Sequence, residues 1–209
     1  MHVTHNIIGR LRLPNSLGWG RGVGRLMGRA LALWTVVAVA ITPVVAQSPT
    51  GAVINREYAI KAAFLYQFLN YVEWPAESFA EETAPFIIGV QGTNPFGEVL
   101  SQVAKDKKVG GRSIQVQSLS SASEVAKCHI LFVPKSVSKP MQDSVLQAAR
   151  GSHVLTVGES DDFTDRGGAV QFVLEGNKVR FVFNKEVIAK DNLKVSSKLL
   201  ALAKVASEK

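Results

Sequence analysis

Residues 128–157 read CHILFVPKSVSKPMQDSVLQAARGSHVLTV, and this stretch decides the fold. Two short apolar runs, His129–Val133 and His153–Val157, bracket the segment Lys139–Arg150. In that segment Met141, Val145, Leu146 and Ala149 recur at helical spacing, and Gly151 supplies the stop. Strand, amphipathic helix, strand is a crossover unit, and crossover units build parallel sheets buried on both faces.

The pattern continues upstream. Phe86–Gln91 (FIIGVQ) is a short apolar strand. Asn94-Pro95 suits the start of a helix through Val103, because Asn caps free amides and Pro fits the first turn. Gly110-Gly111 turns into a strand over Ile114–Leu119, and Ser121–Ala126 is a short helix. Downstream the pattern changes. Ala169–Glu175 and Lys178–Asn184 alternate around Gly176-Asn177, which marks a tight hairpin with Phe172, Phe181 and Phe183 turned inward. Asn184 caps a short helix to Ala189, and Ser196 or Ser197 opens a last helix, LLALAKVA. The fold class expected is α/β: one domain, with a mostly parallel sheet flanked by helices plus a C-terminal antiparallel hairpin. No linker and no repeat divides it.

The 209 residues carry a net charge of +7, but the charge is unevenly placed. Arg10, Arg12, Arg21, Arg25 and Arg29 lie in residues 1–46, which hold no acidic side chain, so the remainder is close to balance. That remainder lacks the basic excess of a nucleic-acid binder. Residues 30–40 (ALALWTVVAVA) form an uncharged apolar run, too short to span a bilayer comfortably, followed by Pro43 and the small residues before Gln47. Charged region, apolar region and small-residue site are the order of a cleavable secretory leader. The expectation is a signal peptide over 1–46, cut near Ala46-Gln47, with translation starting at Met1 or at Met27. The domain is then 47–209 and its location the periplasm or the cell exterior. An uncleaved anchor is the competing reading.

Catalytic motifs are missing: no H-E-x-x-H, no G-x-S-x-G, no phosphate loop. His129 and His153 stand without a carboxylate or second His at ligand spacing, and Asp161, Asp162 and Asp165 read as a solvated turn. No enzyme activity, metal or cofactor is expected. Cys128, the single cysteine, reads as a buried, inert thiol.

Binding has more support. Loops at the carboxyl ends of parallel strands hold Gln91, Thr93 and Asn94, then Lys135 and Ser136, then Glu159 and Ser160. Asn94, Arg180 and Asn184 are candidate ligand contacts, Arg180 for a carboxylate or phosphate; plain caps and a solvated strand face are the competing roles. Tyr58–Val72 has twelve apolar residues of fifteen, with Lys61 its only charge. A helix this apolar needs cover on more than one side. Phe64, Phe68, Tyr71 and Trp74 are therefore candidates for a partner or dimer surface, with core packing as the alternative, and Lys61 is expected to snorkel to solvent, with a partner salt bridge as its alternative.

These residues also carry a resemblance. Glu57–Tyr66 (EYAIKAAFLY), Phe68 and Val72-Glu73-Trp74-Pro75 resemble the opening of the YfiR family of periplasmic regulators (YfiR/HmsC-like). Gly92–Gly97 (GTNPFG), Gly110-Gly111-Arg112, Cys128–Val133, Gly167-Gly168, Val179-Arg180-Phe181 and Asn184 follow in order. Leu193, Ser196–Leu200 and Leu202-Ala203 complete the match. The resemblance implies a protein that binds the periplasmic sensor region of an inner-membrane diguanylate cyclase and restrains it, lowering cyclic-di-GMP and biofilm and exopolysaccharide output. It implies another membrane sensor as the alternative partner, and a homodimer as a further expectation. The family's type member is disulfide-containing and redox-responsive; one cysteine cannot reproduce that within a chain. A periplasmic small-molecule-binding protein or sensor-kinase accessory protein is the competing function.

Overall fold

The computed structural model describes residues 50–203, with side chains from Arg56 onward, all within the second of two units, Ala46–Lys209. The expected leader over 1–46 lies outside the described residues. In chain order the elements are α1 (Thr50–Tyr71), β1 (Val72–Glu73), β2 (Phe86–Gln91), α2 (Glu98–Asp106), β3 (Ile114–Leu119), β4 (Ile130–Val133), α3 (Lys139–Ala149), β5 (Leu155–Gly158), β6 (Val170–Glu175), β7 (Lys178–Phe183), α4 (Lys185–Lys190), β8 (Lys194–Val195) and α5 (Ser197–Leu200). Short 3-10 turns at Ala76–Ser78 and Ala122–Lys127 complete them.

Six strands form one sheet in the order β3-β2-β4-β5-β6-β7. The first four pairings are parallel and β6–β7 is an antiparallel hairpin, in register from Val170–Phe183 to Glu175–Lys178. The expected α/β class and hairpin are present. Every residue of β4 and β5 is buried, as strands covered on both faces require. One core, between the sheet and α1, α2 and α5, gathers Leu65, Phe68, Ile88, Phe132, Val157, Phe172, Phe181 and Leu199. The other face packs Leu131, Val133, Val145, Leu146 and Phe163 beneath α3. The strand order places a reversal between β2 and β4: the chain steps from β2 outward to β3 on one side and then crosses to β4 on the other.

Three local expectations need correction. The helix expected from Asn94-Pro95 begins later, at Glu98, because Asn94 Oδ1 accepts from Phe96 N (2.9 Å) and closes a side-chain turn instead of capping a helix. The final helix is only Ser197–Leu200, capped by Ser196 Oγ, and gives way to a turn at Ala201; the rest of the expected stretch lies beyond residue 203. The strand expected from His153 starts at Leu155, because His153 sits at φ 58° in the left-handed region. The pairing of β1 with β8 in a separate two-stranded antiparallel sheet was not expected from the sequence. Each of those strands has two residues, too few to show any periodicity.

Candidate functional site

The structure splits the aromatic residues of α1 and its exit. Phe68 is fully buried and stacks with Phe172 and packs edge-on to Phe181. Phe64 is half-buried; its ring leans on Phe68, Phe172 and Phe181, and its remaining edge faces outward. Trp74 packs edge-on to Phe86, close to His129, at the amino ends of β2 and β4. Tyr71 is half-buried on the outer side of α1. Of the four, Phe64 and Tyr71 line an open apolar groove of about 530 Å³ with Arg56, Ile60, Ala63 and Leu202. Its residues on α1 recur at three- and four-residue steps, so one stripe of the helix forms the groove and the opposite stripe (Ala62, Leu65, Leu69) fills the core. Leu202, from the turn after α5, is 57% exposed and closes one side of the groove.

Lys61 anchors this helix from behind. It does not snorkel: the residue is 4% exposed, and its ammonium donates to Glu57 on its own helix and to Glu159, which follows β5. The other Glu159 oxygen accepts from the Lys135 backbone amide (3.0 Å) and, more weakly, from the Tyr58 hydroxyl (3.4 Å). The ammonium also lies 4.7 Å from the Tyr58 ring centroid. Burial first, and then the Glu159 charge, raise the Tyr58 pKa, so the phenol stays a donor. A single carboxylate thus ties α1 to the loops leaving β4 and β5.

The three candidate ligand contacts are not brought together. Asn94 closes its turn beside β2, at the opposite half of the sheet from β7. Arg180 lies exposed on β7, 3.9 Å from Glu175. Asn184 accepts from Val187 N (3.2 Å), capping α4, and donates to the Thr164 carbonyl (3.0 Å). Each has a local structural partner. A different concavity, of about 370 Å³, lies between the end of α3 and α4, lined by Arg150, Thr156, Lys190 and Asp191. Sequence reasoning missed it because its two sides lie 40 residues apart along the chain and meet through tertiary hydrogen bonds, Gly151 N–H to Asp191 Oδ1 (2.7 Å) and His153 Nδ1 with the Asp191 carbonyl (3.0 Å).

The remaining sequence candidates have structural surroundings. Cys128 is buried, its thiol pushed up to about 11 chiefly by desolvation, with its sulfur against Gly89. His129 Nδ1 accepts from Ile87 N (3.0 Å), which places the ring proton on Nε2 among Trp74, Phe79 and Phe86. Desolvation depresses its pKa to about 4. Nε2 has no partner in hydrogen-bond geometry, although the Ser78 backbone is close enough to oppose the shift. Asp161 and Asp162 pair with Lys135 and Lys139. Among the described residues, no group of three or more His, Cys, Asp or Glu side chains could hold a metal ion, and no helix is long and apolar enough to cross a membrane.

A family model described as YfiR/HmsC-like matches residues 58–204. No curated protein matches the chain in sequence. Solved structures similar to it include a conserved domain protein from Vibrio cholerae O1 biovar El Tor, 12% identical, covering 71% of this chain and 59% of that one, with a TM-score of 0.49. An ABC domain in complex with L-Trp from Streptococcus pneumonia is also 12% identical, covering 57% of this chain and 54% of that one, with a TM-score of 0.42. The chain therefore spans little more than half the length of either.

Proposed function

The chain belongs to the YfiR/HmsC-like family, a regulatory, non-catalytic family of the periplasm, and from that premise we propose that it binds and restrains the sensor region of an inner-membrane diguanylate cyclase. The observation that carries the reading is the family match across nearly the whole described domain, from Tyr58 to the residue after Ala203. The groove on the outer stripe of α1 supports a place for the contact. It offers two half-buried aromatic rings, Phe64 and Tyr71, on a helix held rigidly by the Lys61–Glu159 pair. Half-exposed aromatics on a fixed backbone lose little entropy on binding and are enriched where interfaces draw their energy. Regulation then follows from differential affinity: the protein binds the inactive conformation of its partner better than the active one.

Export by a leader over residues 1–46, cut near Ala46-Gln47, belongs to the same proposal. The N-terminal peptide of the protein from periplasmic extracts tests it: a start at Gln47 supports the leader, and an intact Met1 or Met27 start refutes it.

Intracellular cyclic-di-GMP in a strain lacking the gene, against its parent and a complemented strain, tests the restraint. A rise that complementation reverses supports it. An unchanged level, in cells where the protein is made, refutes it. A second reading, capture of a small molecule, is favoured only by the cavity beside Arg150, Lys190 and Asp191. It predicts a small compound retained through purification.

A further inference from the structure

The ends of α3 and α4 leave between them the hollow of about 370 Å³, within the ~300–1,000 Å³ usual for small-ligand sites. Leu146 and Ala149 of α3 and Val187 of α4 give it apolar walls, and Thr156 of β5 lies at its floor, 2% exposed. Arg150, just past the end of α3, and Lys190, in the last turn of α4, stand at its exposed rim.

The polar groups around the hollow are unequally satisfied. Among the described residues, the Arg150 guanidinium makes no hydrogen bond and no ion pair. Its Nη2 lies 3.9 Å from the point where a Cβ on Gly167 would sit, so it reaches from α3 toward the loop between β5 and β6. The Lys190 side chain is 77% exposed and touches only Glu186, at 3.9 Å, one turn back on its own helix. Thr156 Oγ1 accepts from Ala169 N (2.9 Å), but its hydroxyl hydrogen has no acceptor among the described residues. Buried hydroxyls normally find one. Against these donors stands a single carboxylate, Asp191. One of its oxygens is committed to Gly151 N, and burial pushes its pKa up. The hollow thus carries two positive charges against at most one negative charge, with apolar walls and a spare buried donor.

We propose that this hollow binds a small organic acid, its carboxylate on Arg150 and Lys190 and its apolar body against Leu146, Ala149 and Val187. The Thr156 hydroxyl donates to the ligand from the floor. Arginine suits a carboxylate because its planar fork offers two parallel hydrogen bonds, and lysine adds a point charge. The charge balance sets the class. One carboxylate neutralises an excess of one positive charge. A phosphate dianion overshoots it, faces Asp191 and leaves the apolar walls uncovered, and an amine meets two cations at the rim. The proposal rests on the second reading above, capture of a small molecule, and not on restraint of a cyclase. The hollow shares no lining residue with the α1 groove.

Titration of the isotopically labelled chain, purified from producing cells, with benzoate and with 3-methylbutanoate tests it through amide chemical shifts. Saturable shifts are expected at Gly151, Gly167 and Asp191, with no saturation by benzylamine or by inorganic phosphate. R150Q/K190Q is expected to weaken benzoate about tenfold or more, as loss of charge-assisted hydrogen bonds does. Lys190→Arg keeps the charge and is expected to retain binding. Both cations also sit at helix C-terminal ends, where the helix dipole favours them. A purely structural role lowers stability and leaves affinity unchanged, so urea denaturation accompanies each titration. Failure of both acids to saturate those shifts overturns the proposal. So does phosphate binding as tightly as benzoate, or an affinity that R150Q/K190Q leaves unchanged in a folded protein. A neutral or cationic compound retained through purification and seated at these amides overturns the organic acid while leaving small-molecule capture standing.

Discussion

Lys61 is the one basic residue in an apolar stretch, and its surroundings decide whether it is a surface or a core residue. Glu57 on the same helix and Glu159 after β5 enclose its ammonium, with side-chain exposure of 5% for the lysine and 6% for Glu159. Removing one member of a buried pair strands the other, at a cost of about 3–5 kcal/mol. Lys61→Met is therefore expected to lower the unfolding free energy by about that much in urea denaturation at neutral pH. K61M/E159L is expected to cost less than Lys61→Met alone, because no unpaired carboxylate then remains at position 159. His129 supplies a pH-dependent term. Its folded-state pKa of about 4 lies below the ordinary value of 6.5, so the unfolded chain takes up a proton that the folded chain refuses. The sign is then fixed: this group's contribution is flat above pH 6.5 and falls between pH 6.5 and 4, by about 3 kcal/mol. Asn at this position can accept the Ile87 N–H without titrating. Denaturation curves across that range are expected to lose this component in His129→Asn, and an unchanged pH slope would exclude His129 as its source.

At the scale of elements, α1 has two working sides that one apolar sequence conceals. Its inner stripe packs the sheet, and Phe68 has lost all contact with solvent. Phe68→Ala is expected to cost about 3–5 kcal/mol of stability, as large aromatic truncations in cores do. Its outer stripe lines the groove, and Ala63 there is exposed. Ala63→Glu is expected to leave the melting temperature nearly unchanged, within the range of ordinary surface substitutions, while abolishing association with the proposed membrane partner in a pull-down. Retained association in a folded Ala63→Glu protein would move the contact elsewhere. The same divided behaviour explains the glycines around Phe163. Its ring occupies the space where a side chain at Gly158 or Gly168 would sit, so both positions must be glycine for this ring to close the second core.

At the scale of the whole molecule, the chain ends its fold where it began. Val72 and Glu73, leaving α1, pair with Val195 and Lys194, and Ser196 N donates to the Tyr71 carbonyl (2.9 Å). Leu193 and Leu199 are buried in the main core beside α1. Ending the chain after Asn192 removes both leucines and the strand that closes β1. The expected loss is about 4–6 kcal/mol, from burial of two leucine side chains at about 2–3 kcal/mol each. Thermal denaturation followed by circular dichroism measures it. A truncated protein as stable as the full chain would show that the last seventeen residues are not part of the folding unit.

Much of this architecture is legible in the residues alone because strands buried on both faces and amphipathic helices carry strong periodic signals. His129–Val133, Lys139–Arg150 and the hairpin at Gly176 are of that kind, and Gly176 does take a positive φ of 56°. The cap at Asn184 was legible for the same local reason: a short polar side chain reaches amides two or three residues ahead. Asn94 has the same side chain and a different outcome, because its oxygen is taken by Phe96 N and the helix waits for Gly97. The local sequence cannot choose between those two hydrogen bonds when both are within reach; the packing of Phe96 on Tyr58 and Phe132 favours one.

The sequence by itself determined the α/β class, the hairpin, the apolar helix and the family, all of which rest on periodicity, local capping and residues in order. Only the tertiary structure decided which side of α1 is surface, that Lys61 is paired rather than solvated, that Arg150 and Asp191 share a cavity, and that the uncharged strand β3 lies at an edge. The reason is the same in each case. Burial, ion pairing and strand order depend on residues far apart along the chain, and one helix or strand carries no record of what will be packed against it.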